Sequence, residues 1–202
     1  MRWQTRRVSE DRALLMTFGH GTLSQAAIVD VLHGAGVEQV VDVRRFPGSR
    51  RHPHVARDEF ERWLPAAGVA YRWEPRLGGR RRSDPAEAAV DPWWQVEAFR
   101  AYAAHARTVD FGRAIDELLA GAAASRTAVM CSESLWWRCH RRLISDVCVL
   151  LHDVPVQHLG HDGRLTAHLP AAGARVTARG LVYDRSRDDD RPTATREPSP
   201  NR

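Results

Sequence analysis

The first apolar run of the chain ends abruptly in a glycine-rich turn. Residues 13–18 read ALLMTF and lead directly into Gly-His-Gly, which predicts a buried strand and a tight turn. Over residues 25–36 the apolar positions recur with helical spacing, so a helix is predicted there. A second apolar run at 37–43 completes a strand–helix–strand unit. Such a unit predicts two parallel strands.

The same alternation of apolar runs and helical stripes continues to about residue 160. Helices are predicted at 58–68, 93–106, 109–120 and 135–151. Further strands are predicted at 69–75, 126–133 and 154–160, with minor strands at 163–169 and 175–184. The predicted fold class is α/β: a mostly parallel sheet of about five strands with helices on both faces, in a Rossmann-like, three-layer arrangement.

Composition divides the chain into a polar N-terminal arm at 1–12, a single α/β domain at 13–170 and a C-terminal extension at 171–202. From about residue 188 the extension is charged and rich in proline, which predicts disorder. No apolar run approaches the about 20 residues that cross a membrane, and the N-terminus lacks the apolar region of a signal peptide. The three cysteines, an odd number, argue against a disulfide framework. We expect a cytoplasmic protein without membrane association.

The charge balance is basic, with a formal net charge of +5 and a pI of about 9.8. This favours anionic, phosphate-bearing partners such as a nucleotide or nucleic acid. All 30 basic residues are arginine. That bias is typical of a GC-rich genome, so the position of an arginine carries more information than its identity.

Polar residues follow each predicted parallel strand. In open parallel sheets, ligands bind beyond the carboxyl ends of the strands, where these side chains would meet. They are His20 after the first strand; Asp42, Arg44, Arg45, Ser49 and Arg50 after the second; Gly78 and Gly79 with Arg80 to Arg82 after the third; and Cys131, Glu133, Cys139, His140 and Arg141 after the fourth. Polar loops are common, but that alone does not explain why the loops after the second and third strands begin with arginines and contain few acids. A basic, anion-binding crevice is predicted.

The segment VMCSESLWWRCHRRLISDV, residues 129–147, carries most of the candidate chemistry. The helix that follows has an apolar stripe, and its spacing places Cys139 and His140 at the N-terminal end facing the sheet. Arg142 and Asp146 are four residues apart on the opposite face and are predicted to pair in solvent. Cys148 falls at the border of the stripe and is assigned to the core.

Three kinds of chemistry fit this segment. A cysteine near a helix N-terminus and arginines is a candidate nucleophile. However, six residues separate Cys131 from Arg138, one more than in the loop of cysteine phosphatases. Cys131, Cys139, His140 and His20 could instead bind a metal ion, zinc or iron, although the spacing matches no standard zinc module. Finally, Glu133 and His140 could transfer protons at an anionic substrate. The alternative to all three is that Cys131 and Cys139 are buried core residues without a chemical role, because free cysteines are often buried.

Two adjacent tryptophan pairs, at 93–94 and 136–137, stand among the arginines. Tryptophan interleaved with arginine can stack on nucleic-acid bases. Large aromatics are mostly buried, however, so we expect one member of each pair to pack in the core and the other to cover it.

Several blocks of the sequence together resemble one protein family. TFGHGTLSQAAIVDVLHGAGVEQVVDVRRFPGSRR, AYRWEPRLGG and CSESLWWRCHRRLISD occur in the order found in the family of unknown function numbered 488, over about residues 17–168. The resemblance implies a small α/β protein of bacterial or archaeal type without an assigned reaction. Two departures are Gly21, where the family usually has serine, and SLWW, where a short polar turn with proline is usual. The residues of this chain that match the family's motifs are Gly19, His20, Asp42, Val43, Arg44, Pro47, Ser49, Leu77, Gly78, Gly79, Cys131, Glu133, Cys139, His140 and Arg141.

Two functions remain open from the sequence. The first is an enzyme that acts on a phosphate-bearing substrate, a nucleotide or nucleic acid. Its catalytic candidates are Glu133, Cys139, His140, His20 and Asp42. Its substrate-binding candidates are Arg44, Arg45, Ser49, Arg50, Gly78, Gly79 and Arg141. The second is a non-catalytic module that binds nucleic acid or a nucleotide in the same crevice.

Overall fold

The computed structural model describes residues 14–82 and 84–185. Its main sheet consists of β1 (Leu15–Gly19), β2 (Gln39–Asp42), β3 (Ala70–Trp73), β4 (Thr127–Cys131), β5 (Val156–Leu159) and β6 (Leu165–Ala167). The strand order is β3-β2-β4-β1-β5-β6. All pairings are parallel except the one between β5 and the edge strand β6. The predicted mostly parallel α/β sheet is confirmed.

Helices cover both faces of this sheet. They are α1 (Gln25–Gly34), α2 (Arg57–Ala66), α3 (Pro85–Ala88), α4 (Glu97–Ala106), α5 (Val109–Ala124) and α6 (Arg141–His152). Short 3-10 helices occupy Pro53–Val55, Pro75–Leu77 and Trp136–Arg138. Within the described residues, no helix is both long enough and apolar enough to span a membrane.

Two apolar cores lie on opposite sides of the sheet. Met16 and Phe18 of β1 pack with α1 and α2, whereas Leu15 of the same strand belongs to the core shared by α4, α5 and α6. Both faces of β1 are therefore buried, which explains why it reads as a nearly continuous apolar run. Each fully buried aliphatic or aromatic side chain contributes about 1.5–3 kcal/mol.

A two-stranded hairpin, β7 (Ala174–Thr177) and β8 (Gly180–Tyr183), packs beside α4 and α6. Tyr183 of this hairpin is buried in the core on that side of the sheet. The predicted domain boundary at residue 170 stays a prediction. The predicted N-terminal arm and the disorder predicted from about residue 188 lie outside the described residues.

The prediction that Arg142 and Asp146 pair in solvent is wrong. Asp146 is fully buried and accepts hydrogen bonds from Tyr183 Oη at 2.9 Å and His168 Nε2 at 2.7 Å. Arg142 instead lies over the ring of Trp94, 4.9 Å from its centroid. The C-terminal hairpin covers the helix face that periodicity alone had assigned to solvent.

The single helix predicted over 135–151 is divided in the structure. A 3-10 helix at Trp136–Arg138 is followed by Cys139 in an extended conformation, with φ −121° and ψ 151°, and α6 begins only at Arg141. The helix predicted from residue 93 likewise begins later, at Glu97. The first break matters for the site, because it frees Cys139 from the helix and turns it toward the end of β4.

Candidate functional site

The loops after β1, β2, β3 and β4 surround a cavity of about 710 Å³. The cavity therefore lies beyond the carboxyl ends of parallel strands, as expected for this fold. The predicted site residues that line it are His20, Arg44, Arg45, Ser49, Gly79, Cys131, Glu133, Cys139 and His140. Four other predicted site residues, Asp42, Arg50, Gly78 and Arg141, are outside its lining.

Three potential metal ligands converge on one wall of this cavity. Cys131 is the last residue of β4, Cys139 follows the 3-10 helix, and His140 is the residue before α6. One ligand atom from each lies within 4.8 Å of the other two. Cys139 Sγ is 3.6 Å from His140 Nδ1. His20 is not part of this group.

The two thiols differ in acidity. Burial alone would raise the pKa of Cys139, but a hydrogen bond from Cys131 and the charge of Arg141 lower it to about 6. The pKa of Cys131 is raised by its hydrogen bond to Cys139 and by burial. The pair therefore carries one thiolate, on Cys139, at neutral pH. Burial lowers the pKa of His140, so its imidazole is neutral.

Cys148 provides an internal comparison for these two residues. It is fully buried in the apolar core, as predicted, and burial raises its pKa to about 12. A thiol in that environment stays protonated and inert. The reactive cysteine chemistry of this chain is therefore confined, within the described residues, to the cavity wall.

Arg141 holds the loop that carries Glu133. Its side chain is 1% exposed, and Nη2 donates hydrogen bonds to the carbonyl oxygens of Glu133 and Ser134. The loop passes so close to Gly19 that a Cβ there would lie 2.0 Å from the Glu133 oxygen and 2.6 Å from Arg141 Nη2. Only glycine fits at this crossing. Arg141 thus contacts the backbone behind the cavity rather than the cavity itself.

Asp42 forms a buried ion pair with Arg44. Asp42 is 0% exposed and accepts from Arg44 Nε at 2.9 Å and Nη2 at 2.5 Å, and from Tyr71 Oη at 2.7 Å. Arg44 Nη1 donates to the Val55 carbonyl at 2.7 Å. Removing one member of such a pair would leave a buried charge without its partner. Asp42 therefore orients Arg44 at the cavity wall.

His20 completes this arrangement in a defined protonation state. Its Nδ1 can only donate to the Gly21 carbonyl, 2.9 Å away, so Nε2 accepts from Arg44 Nη1 at 3.2 Å. Burial, followed by the charge of Arg44, lowers the pKa of His20 to about 4. His20 is therefore a neutral side chain with both ring nitrogens engaged.

The mouth of the cavity is basic and partly aromatic. Arg45, Arg80 and Arg138 are exposed lining residues, and Glu133 is the acidic residue among those that line the cavity. Phe46 and Trp137 also line it, and they are 64% and 49% exposed. The expectation for the tryptophan pairs is met at 93–94, where Trp94 is buried in the core at 4% and the half-buried Trp93 packs against that core. It is not met at 136–137, where Trp136 is only half-buried. Phe46 was not singled out from the sequence, because it lies in a loop without a distinctive pattern.

One wall comes from α4. The expectation that ligands bind beyond the carboxyl ends of the strands did not include this helix. Tyr102 and Phe99 of this helix line the cavity. Tyr102 Oη donates to the Leu77 carbonyl at 2.6 Å, and its ring centroid is 5.0 Å from that of His140. The helical stripe of 93–106 indicated burial but gave no signal that it faced a cavity.

A buried chain of hydrogen bonds supports the segment before Cys139. Thr17 Oγ1 lies 2.7 Å from His158 Nδ1, His158 Nε2 lies 3.0 Å from His168 Nδ1, and His168 donates to Asp146. Trp136 stacks on His158 with ring centroids 3.9 Å apart and planes 9° apart. The polar chain therefore provides the platform on which the 3-10 helix rests.

The fold and this strand-end cavity define an α/β protein with a basic, thiol-containing site. The family model described as "Domain of unknown function DUF488" matches residues 24–148, which is more than half of the chain. The chain belongs to that family, as its motifs had indicated. No curated protein matches the chain significantly, and no solved structure does so either.

Proposed function

We propose that the chain is an enzyme that acts on a phosphate-bearing substrate, a nucleotide or nucleic acid, in this cavity. The observation that carries the proposal is the meeting of a thiolate–imidazole cluster and exposed arginines in one cavity. Phosphate esters need cationic groups for binding, and their chemistry needs a reactive group close to the bound phosphate.

The arginines at the mouth supply an excess of positive charge. Asp42 offsets the charge of Arg44 through the buried ion pair. Among the other charged lining residues, Arg45, Arg80 and Arg138 outnumber Glu133. Clefts lined by one sign of charge raise the local concentration and association rate of oppositely charged ligands. A polyanionic ligand is therefore the occupant that this charge distribution favours.

The catalytic groups in this proposal lie on the wall formed by the residues after β4. Cys139 supplies the thiolate, neutral His140 and the exposed Glu133 carboxylate supply proton transfer, and His20 orders the neighbouring Arg44. Asp42 and Arg141 act as positioning residues: the first orients Arg44, and the second holds the loop of Glu133.

Arginine substitutions at the mouth test the anion-binding half of the proposal. Arg45→Ala and Arg80→Ala should each weaken binding of a phosphate-bearing probe such as pyrophosphate, measured by calorimetry, and should reduce its salt dependence. Arg164→Ala is the matched control, because Arg164 is exposed, with its side chain at 87%, and does not line the cavity. Equal binding by all three variants and the parent would overturn the proposal.

The non-catalytic alternative has its own supporting observation. Phe46 and Trp137 are exposed on the cavity wall, where bases could stack. Glu133→Gln separates the two functions. An enzyme would lose turnover of a panel of phosphate monoesters and diesters while still binding them. A chain that binds these compounds tightly but converts none of them is a binding module.

A further inference from the structure

We infer that Cys131, Cys139 and His140 form a three-ligand zinc site with its fourth position open to the cavity. The inference deepens the proposed function, on which any catalytic role of the ion rests. With zinc bound, Cys139 and His140 would hold the ion instead of acting as nucleophile and proton-transfer group, and Glu133 would be the remaining proton-transfer group at the cavity. Metal binding itself can be tested without a substrate.

The spacing of Cys139 and His140 matches tetrahedral coordination. With zinc–sulfur bonds of about 2.3 Å and zinc–nitrogen bonds of about 2.0–2.1 Å, tetrahedral geometry separates a sulfur from a nitrogen by about 3.6 Å. Cys139 Sγ and His140 Nδ1 are 3.6 Å apart. The Cys131 ligand atom lies within 4.8 Å of both. A movement of the Cys131 side chain toward the other two ligands would complete the set around one ion.

The backbone holds these ligands in position. Cys131 is fixed in the β4 ladder, where it pairs with Gly19 of β1. The Cys139 amide donates to the Trp136 carbonyl at 3.1 Å, and the His140 carbonyl accepts from Leu143 N at 3.0 Å. A preformed site of this kind lowers the cost of ordering the ligands when a metal binds.

The donor set favours zinc over magnesium and calcium. Two thiolates and one imidazole suit zinc, whereas magnesium and calcium prefer oxygen ligands. Two thiolates balance the charge of the ion, so the occupied site would be neutral, and its formation would release the proton that Cys131 carries in the metal-free protein. Catalytic zinc sites use three protein ligands and leave one position for water or substrate. Here the three ligands line an open cavity, so that position faces the place where a phosphate would lie.

His20 is excluded from the set by its own hydrogen bonds. Both of its ring nitrogens are engaged, by Gly21 and Arg44. His140, in contrast, directs Nδ1 toward Cys139 in the cluster. Its Nε2 is buried and, among the described residues, forms no hydrogen bond that meets standard limits of length and angle. Coordination through Nδ1 leaves Nε2–H as a donor behind the site, where metal-bound histidines commonly find an outer partner.

Cobalt titration tests the site with an optical readout. Full-length protein is stripped by a chelator, kept reduced with a non-thiol reductant and titrated with Co²⁺, whose tetrahedral thiolate complexes absorb strongly in the near ultraviolet and visible. One equivalent should bind, and Zn²⁺ should displace it. Cys139→Ser and His140→Asn should each weaken binding by more than about 100-fold, beyond the loss typical of an outer partner. Cys148→Ala is the matched control and should bind like the parent.

The outcomes separate this inference from the proposed function. No tetrahedral cobalt spectrum, or equal binding by the parent and the two ligand variants, overturns the metal site. If elemental analysis of protein as purified finds iron bound through these residues, the assignment to zinc is overturned. Arg45→Ala should keep the cobalt spectrum and weaken pyrophosphate binding. A normal cobalt spectrum with no pyrophosphate binding by the parent would refute the proposed function alone. Circular dichroism of each variant confirms that it is folded.

Discussion

Acid should destabilise this protein through His158, and the size of the effect follows from its surroundings. His158 is 4% exposed and lies between Thr17 and His168 under the ring of Trp136. Burial, with smaller contributions from His168 and Arg141, lowers its pKa from 6.5 to about 3. In the unfolded chain the same imidazole takes up a proton near its ordinary pKa.

The direction of the effect follows from which state binds the proton first. As the pH falls below about 6.5, the unfolded state is protonated and stabilised while the folded state is not, so stability is lost toward acid. Each pKa unit corresponds to about 1.4 kcal/mol, so His158 should account for a loss of about 2 kcal/mol between pH 6.5 and pH 4.5.

Urea unfolding at a series of pH values measures this contribution. His20, His105 and His140 also have lowered pKa values and contribute to the slope of the parent protein. The informative quantity is therefore the difference between the parent and His158→Gln, which lacks the imidazole. The variant should be less stable at pH 7, and its free energy of unfolding should fall less steeply toward pH 4.5. Parallel curves for the two proteins would refute the reasoning.

Three further substitutions probe the site. Asp42→Asn leaves the buried guanidinium of Arg44 without its counter-ion and should cost about 3–5 kcal/mol in urea unfolding; a loss below about 1 kcal/mol would mean that the ion pair is not formed. Gly79→Ala places a Cβ 2.8 Å from His140 Nδ1, so it should weaken Co²⁺ binding in the cobalt titration while circular dichroism stays unchanged, and unaltered binding would contradict the geometry. Phe46→Ala removes an exposed ring and should change stability by no more than about 0.5 kcal/mol. Calorimetry should show weaker binding of a nucleotide to this variant and unchanged binding of pyrophosphate, and equal loss of both ligands would exclude stacking.

The parallel sheet could be predicted from sequence because its signal is local and repeated. β1 and β2 are short apolar runs separated by one amphipathic helix, and that unit has few topologies available to it. Most of the polar lining could be predicted for a related reason. Once the strands are parallel, the residues that follow them meet at one edge, which brought His20, Arg44 and the Cys139–His140 pair together.

What could not be predicted depends on contacts between distant parts of the chain. The burial of Asp146 depends on Tyr183, which is 37 residues further along the chain. Helical periodicity cannot show which face of a helix a later hairpin will cover. The position of Arg141 behind the loop of Glu133 depends on the break before α6, and no propensity marks that break. The Tyr102 wall was missed because a buried helical stripe looks the same beside a cavity as within a core.

The protection of Cys139 from alkylation tests most directly whether the thiol cluster and the basic cavity form one site. Metal-free, reduced protein is treated with iodoacetamide at neutral pH, with and without pyrophosphate, and each cysteine is followed by peptide mass spectrometry. Cys139, whose pKa is lowered to about 6, should react. Saturating pyrophosphate should slow that reaction, and added salt should reverse the protection. Cys148 should stay unmodified throughout. If Cys139 reacts equally fast at every pyrophosphate concentration, the anion does not bind beside the thiolate and the account fails.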